Sequence, residues 1–140
     1  MDDLSQSIEQ FMSAHRFAVA GASEDPDKYG HQCFVALHAR GFTVFPLNPH
    51  AKSVLGVAAY PNLAALPERV ESLSIVTPPS VTERLIDEAI AAGVKNIWMQ
   101  PGAEPNDETS LNRAHAAGVK LIYGGPCLLV ELRVRRRGAK

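Results

Sequence analysis

Gly21, Ala22 and Ser23 close an apolar run, and Lys28, Tyr29 and Gly30 follow shortly after, in the stretch FAVAGASEDPDKYGHQ at 17–32. These are groups that can hold a phosphate. A glycine has no Cβ, so an anion can approach its backbone closely. The N–H groups of Ala22 and Ser23 can point at phosphate oxygens, and the Ser23 hydroxyl adds a donor. A helix that starts near Lys28 presents unpaired N–H groups and the positive end of its dipole. Lys28 supplies a full charge, and Gly30 is expected to keep the surface open. The alternative is a plain strand-to-helix turn with an exposed lysine. The stretch contains neither G-x-G-x-x-G nor G-x-x-x-x-G-K-[ST], so it is not a standard dinucleotide fingerprint or a P-loop.

The next apolar run ends VFPLNPHAK. A typical NAD site places Asp or Glu at this point to accept bonds from the ribose hydroxyls. Here Asn48 and Pro49 stand there instead, and His50 and Lys52 follow. A ribose that itself carries a phosphate suits a site with no acid and a nearby cation. Coenzyme A (CoA) has such a 3′-phosphate, and NADP also has an extra phosphate, so this argument leaves both open.

Three further strand ends complete the picture. They are Thr77-Pro78-Pro79, then Gln100-Pro101-Gly102-Ala103, then Gly124-Gly125-Pro126-Cys127. In open parallel sheets, ligands bind beyond the carboxyl ends of the strands. All these ends are rich in glycine, proline and small polar residues.

A reaction centre needs a nucleophile beside a base, a carboxylate pair or a metal site. The sequence offers none, so no catalytic residue and no metal ligand is assigned. The five histidines, His15, His31, His38, His50 and His115, lack metal-ligand spacing. His31 and His38 can share a helix face, and His50 has the best claim on a ligand. Cys33 is expected to pack. Cys127 follows GGP where a thiol-bearing ligand can arrive, and a mixed disulfide there is conceivable. Glu131, Asp107 and Glu108 are read as structural and Trp98 as core.

The elements that position these groups are five apolar runs, at 17–21, 42–47, 72–77, 94–99 and 119–123. Most do not alternate, as expected of parallel strands covered on both faces. Helical patterns separate several of them. The clearest is 80–92, with Val81, Leu85, Ala89 and Ile90 as its apolar stripe and Ser80 with Glu83 as a capping box. Gly41, Gly93 and Gly118 each follow a helix and precede a strand, as natural helix stops. The segment 50–70 is expected to hold a short strand near Val54–Val57 and a helical turn near Leu63–Leu66.

The fold expected is α/β, a single Rossmann-like three-layer domain over 1–140. It has a five-stranded, mostly parallel sheet in the order 3-2-1-4-5, with helices on both faces. An amphipathic N-terminal helix lies within 1–15, on Leu4, Ile8, Phe11 and Met12, and 133–140 forms a frayed basic tail. The formal net charge of −1 argues against a broad grip on nucleic acid. No run approaches the roughly 20 apolar residues of a membrane span, and the N-terminus does not read as a signal peptide. The two cysteines make no disulfide framework and fit a reducing cytoplasm.

Five segments, VAGASEDPDKYG, VFPLNP, SIVTPPS, IWMQPGAE and GGPCLLVE, occur in this order between the expected strands. In these the chain resembles the stand-alone CoA-binding proteins, relatives of the nucleotide-binding domain of the succinyl-CoA synthetase α subunit. The resemblance covers roughly 10–132. It implies CoA as the ligand, lying across the strand ends. Its phosphates would lie near Gly21, Ala22, Ser23, Lys28 and Gly30. The adenosine end would lie near Asn48, Pro49 and Lys52, walled by Thr77 and Pro78, and the pantetheine arm would run toward Gln100 and Gly102. Tyr29, His50, Pro79 and Cys127 complete the candidate set. The chain ends before the synthetase's further domain, which holds a phosphorylated histidine, so ligase activity is not expected. The function expected is that of a non-catalytic carrier, sensor or regulatory module for CoA or an acyl-CoA, with a homodimer or an unknown protein as possible partner. The alternative is a small NAD(P)- or acyl-CoA-dependent enzyme completed by a partner or a dimer.

Overall fold

A computed structural model describes residues 3–138. Its main sheet has five strands, all parallel. They are β1 (Arg16–Ala20), β2 (Thr43–Leu47), β5 (Ser72–Ile75), β6 (Asn96–Met99) and β7 (Lys120–Ile122). Between β2 and β5 lie a two-stranded hairpin, β3 (Ser53–Val54) and β4 (Val57–Ala58), and a 3-10 turn at Leu63–Ala65. The hairpin turns through Leu55 and Gly56, both at positive φ. Five helices accompany the sheet: α1 (Asp3–Met12), α2 (Tyr29–Ala39), α3 (Pro79–Ala92), α4 (Thr109–Ala116) and α5 (Leu128–Gly138).

Two apolar layers hold the helices to opposite faces. On one face Phe11, Phe34, Leu37, Leu128 and Leu132 of α1, α2 and α5 pack with Phe17, Val19 and Trp98. On the other, Leu85, Ile86 and Ala89 of α3 and Leu111 and Ala114 of α4 pack with Leu73, Ile75 and Ile97. All four residues of β5 and of β6 are buried, the polar Ser72, Ser74 and Asn96 as well as the apolar ones, as expected of parallel strands covered on both faces. Trp98 lies edge-on to Phe11 with centroids 5.1 Å apart, and its indole N–H donates to the Pro126 carbonyl at 3.0 Å. A core residue thereby fixes the loop after β7.

The strand order is a correction. Numbered along the chain, the five sheet strands run 2-1-3-4-5, not 3-2-1-4-5. Pro46 supplies the physical reason. It pairs with Val19 in the β1–β2 ladder, while its carbonyl faces outward and accepts the Tyr60 N–H at 3.0 Å. In a parallel strand the N–H and C=O of one residue face the same side, so the N–H that proline lacks is the one an outer neighbour would need. Proline confines β2 to the edge, and β5 takes the place beside β1. The sheet therefore reverses between β1 and β5, and the crevice opens between the loops that follow them.

Two smaller expectations also change. The Ser80–Glu83 capping box does not form. Pro78 is the N-cap and Pro79 occupies the first turn of α3, where its fixed φ suits a helix start. Glu83 instead accepts the Asn106 N–H at 3.0 Å. The basic segment does not fray at 133. Residues 133–138 continue α5, and Arg135 pairs with Glu131 and with Glu9 of α1; 139–140 fall outside the described residues. Of the stripe expected on α1, Phe11 and Met12 are buried and Ile8 is half-buried, but Leu4 is 46% exposed.

Candidate functional site

The first loop is built by backbone contact. Gly21 sits at φ +89°, and a Cβ there would lie 2.0 Å from the Val76 carbonyl oxygen. Gly21 N–H donates to Leu47 O at 3.1 Å, and Val76 N–H donates to Ala20 O at 2.9 Å. Gly30 is buried, and a Cβ on it would come within 1.9 Å of Gly21 O. So Gly30 does not keep a surface open, as expected from sequence. It lets the start of α2 press against the end of β1.

Side chains then hold the loop in shape. The Asn48 amide donates to Ala22 O at 2.8 Å and its oxygen accepts the His50 N–H at 2.7 Å, joining the loops after β1 and β2. The His31 Nδ1 bonds Ser23 O at 2.8 Å. Ser23 Oγ accepts the Asp25 N–H at 3.0 Å, which leaves its own hydrogen free to donate. Glu24 accepts the N–H of Leu55 at 2.8 Å and so ties the β3–β4 hairpin to the same loop.

What remains unpaired is a row of donors. Among the described residues, the N–H groups of Ala22 and Ser23, and those of Tyr29, Gly30 and His31 in the first turn of α2, have no partner within the protein. Lys28 is the extended N-cap of α2 and makes no side-chain cap. Its exposed ammonium group stands beside a helix start with no acidic residue in its first turn. Unpaired donors, a positive dipole end and one cation form a shelf suited to an anion.

The neighbouring loops flank this shelf. Thr77 Cγ2 lies 3.5 Å from where a Gly21 Cβ would be, and Thr77 Oγ1 bonds Thr82 Oγ1 at 2.8 Å. Thr77 therefore borders the first loop directly, and Pro78 and Pro79 follow it as the N-cap and first residue of α3. Pro49, His50 and Lys52 are exposed on the loop after β2. Gly102 is exposed, and its N–H and that of Gly124 both donate to Glu104, at 3.1 Å each, which couples the loops after β6 and β7.

Gln100 is placed differently from the sequence reading. It is fully buried, and its side chain is engaged within the protein. Its amide donates to Ser74 Oγ at 3.2 Å, and its oxygen accepts the Leu128 N–H at 2.9 Å and lies 3.4 Å from the Tyr29 hydroxyl. The same hydroxyl bonds the half-buried thiol of Cys127. Burial holds the Tyr29 hydroxyl protonated well above the usual tyrosine range, reinforced by the bond to Cys127 and the nearby Cys33 and Cys127 thiols. Cys33, one turn along α2, is completely buried. Burial and the proximity of Cys127 push its thiol up to about 12, against a bond with Ser74 that lowers it.

The crevice is an open shelf. A hollow of about 350 Å³ lies elsewhere, between α1 and β7, lined by Gln6, Gln10, His115 and Lys120. It is at the amino end of the strand and has no comparable row of free donors. No group of three or more His, Cys, Asp or Glu that could hold a metal occurs among the described residues. No helix among them is long and apolar enough to cross a membrane.

The CoA binding domain family matches residues 15–133. The chain belongs to that family. The α subunit of the ADP-forming acetate–CoA ligase II of Pyrococcus furiosus is 30% identical over 124 residues, covering 82% of this chain and 27% of the ligase subunit. The chain thus spans about a quarter of that relative's length, and less of two ADP-forming acetate–CoA ligases of Archaeoglobus fulgidus. A protein of Thermus thermophilus has the same fold at a TM-score of 0.82 and 28% identity, covering 96% of this chain and 98% of its own. The dinucleotide-forming acetyl-coenzyme A synthetase 1 of Ca. Korarchaeum cryptofilum aligns at a TM-score of 0.69 and 32% identity, covering 76% of this chain and 25% of its own. These matches agree with the sequence resemblance to the succinyl-CoA synthetase-like family.

The sequence reading missed Glu24, His31 and Glu104 as parts of the CoA-binding domain's loop framework. His31 carried a usable signal, since it falls in the first turn of the helix that opens the shelf. Glu24 and Glu104 carried none, because their partners lie on other loops.

Proposed function

We propose that this domain binds CoA or an acyl-CoA at the carboxyl ends of the parallel strands, as a non-catalytic carrier, sensor or regulatory module. The observation that carries the reading is the row of unpaired N–H groups, from Ala22 and Ser23 to the first turn of α2, beside Lys28. Charge-assisted bonds from such groups to a diphosphate are about twice as strong as neutral ones. The adenosine end lies toward Asn48, Pro49 and His50, with Lys52 for the 3′-phosphate and Thr77, Pro78 and Pro79 as a wall. The pantetheine arm crosses toward Gly102 and Cys127, over the buried Gln100.

Thermal shifts with CoA, dephospho-CoA, NAD and NADP test this. A ligand at 100 times its dissociation constant stabilises by about 2.7 kcal/mol. CoA is expected to exceed dephospho-CoA, and Lys52→Ala to narrow that gap. Equal shifts for CoA and dephospho-CoA would remove the role of Lys52, and no shift with any of the four would sink the reading. A second reading rests on the relatives: a ligase subunit aligns over a quarter of its own length, so this domain could be completed by a protein partner into an enzyme. A preference for NAD or NADP, or turnover that appears only with an added partner, would favour it.

A further inference from the structure

Two thiols from distant parts of the chain meet around one tyrosine. Tyr29 and Cys33 share a face of α2, one turn apart, and Cys127 arrives from the loop after β7. The Tyr29 hydroxyl bonds the Cys127 sulfur, and Cys33 lies one turn along α2 from Tyr29, in the buried layer that also holds Leu128, the residue after Cys127. The backbone N–H of the same Tyr29 is one of the unpaired donors of the anion shelf. A single residue therefore joins the phosphate end of the crevice to a half-buried sulfur.

We propose that Cys127, with Tyr29 against it, is a thiol-exchange site that takes the thiol-bearing end of the cleft's ligand as a mixed disulfide. The reactant class is a disulfide of that ligand, CoA disulfide, so the inference rests on the reading above. Cys127 sulfur attacks one sulfur of the CoA disulfide. The Cys127–CoA disulfide bond forms as the CoA–CoA disulfide bond breaks. The departing CoA sulfur leaves reduced and takes up the proton that Cys127 gives up, so no other oxidant is needed. The Tyr29 hydroxyl keeps its proton and turns it from the long bond to Gln100 Oε1, at 3.4 Å, to the sulfur as negative charge develops there.

Cys33 determines how the adduct lasts. A second thiol on the same side of the sheet would, if exposed and ionised, be a candidate to attack the mixed disulfide and release CoA. Cys33 is completely buried and stays protonated, and a thiol is a far weaker nucleophile than a thiolate. The product is a persistent adduct at Cys127, not a Cys33–Cys127 disulfide.

The test uses the full chain, reduced, freed of reductant and incubated with CoA disulfide or, separately, oxidised glutathione. Intact mass and peptide mapping follow. One CoA moiety per chain is expected, on Cys127, removed by dithiothreitol and absent in Cys127→Ser. It should form at least about tenfold faster than the glutathione adduct, because the cleft concentrates one reagent only. Cys33→Ala should retain the adduct. Equal rates for the two disulfides, an adduct on Cys33, or loss of two hydrogens without an adduct would each overturn the proposal. Calorimetry with CoA in the presence of a phosphine separates the two ideas. No adduct with CoA still binding defeats the exchange site alone, and no adduct with no binding defeats both.

Discussion

Replacing Gly30 with alanine puts a methyl group at the tightest contact in the candidate site. The new Cβ would lie 1.9 Å from Gly21 O and 2.7 Å from Gly21 C, where ordinary contact begins near 3.4 Å. Both atoms belong to backbone, so neither can rotate away, and the start of α2 must retreat from β1 by more than an ångström. Overpacking of this kind costs about 1–3 kcal/mol, or roughly 3–10 °C in melting temperature for a chain of this size. The same retreat carries the Tyr29, Gly30 and His31 N–H groups away from a bound diphosphate. Losing one hydrogen bond to a charged group costs about 1.5–3 kcal/mol, so CoA affinity should fall by at least about tenfold. Gly41→Ala is the control. Gly41 also has positive φ, at +87°, but a Cβ there meets nothing within 4 Å. It should lose about 1–2 kcal/mol through strain alone and bind CoA as before. Differential scanning fluorimetry and calorimetry on the two variants read both quantities. A Gly30→Ala protein that melts within about 1 °C of the parent would refute the packing argument. One that melts early but binds CoA normally would refute the assignment of those N–H groups to the phosphates.

Other outcomes follow from the same geometry. Asn48→Ala leaves the Ala22 carbonyl and the His50 N–H without their partner, and urea denaturation should show a loss of about 1–2 kcal/mol. Glu71 is partly desolvated, which acts to raise its carboxyl, but the N–H bonds from Arg16 at 2.9 Å and His15 at 3.1 Å outweigh this and hold it below the usual range. A depressed folded value stabilises the protein above the unfolded pKa of about 4.3. That contribution is lost as pH falls through the folded value, so Glu71→Gln should flatten the acid side of the stability profile below about pH 4.3, and an unchanged slope would contradict it. Iodoacetamide should label Cys127 alone in the folded protein and both cysteines in denaturant, because Cys33 is fully buried. Double labelling under native conditions would contradict that burial.

Much of the scaffold was legible because its signals are local. Short runs rich in apolar residues mark β5 and β6, and Gly93 at φ +81° ends α3 as its position suggested. The row of unpaired N–H groups was legible for the same reason, since one strand, one turn and one helix start supply it. Strand order depends on long-range choices, yet Pro46 carried the answer in plain view: a proline inside a strand argues for an edge. Gly30 was misread because sequence shows that a side chain is absent but not what presses into the space. Gln100 was misread because a polar residue at a strand end suggests a ligand, whereas this one satisfies Ser74, Leu128 and Tyr29 beneath the surface. The Ser80–Glu83 pattern failed because Pro78 and Pro79 had already started the helix.

The pairing of Arg135 with Glu9 bears on how the domain can be joined to something else. Both residues belong to helices on the same face. Arg40, at the close of α2, also reaches the Leu132 carbonyl of α5. The far end of α5 is thus drawn toward the amino ends of the strands, away from the shelf. A surface linker, fluorescent tag or fused module attached beyond Gly138 would leave the mouth of the crevice facing outward. Immobilised by that end, the protein should keep the row of unpaired N–H groups open to solvent.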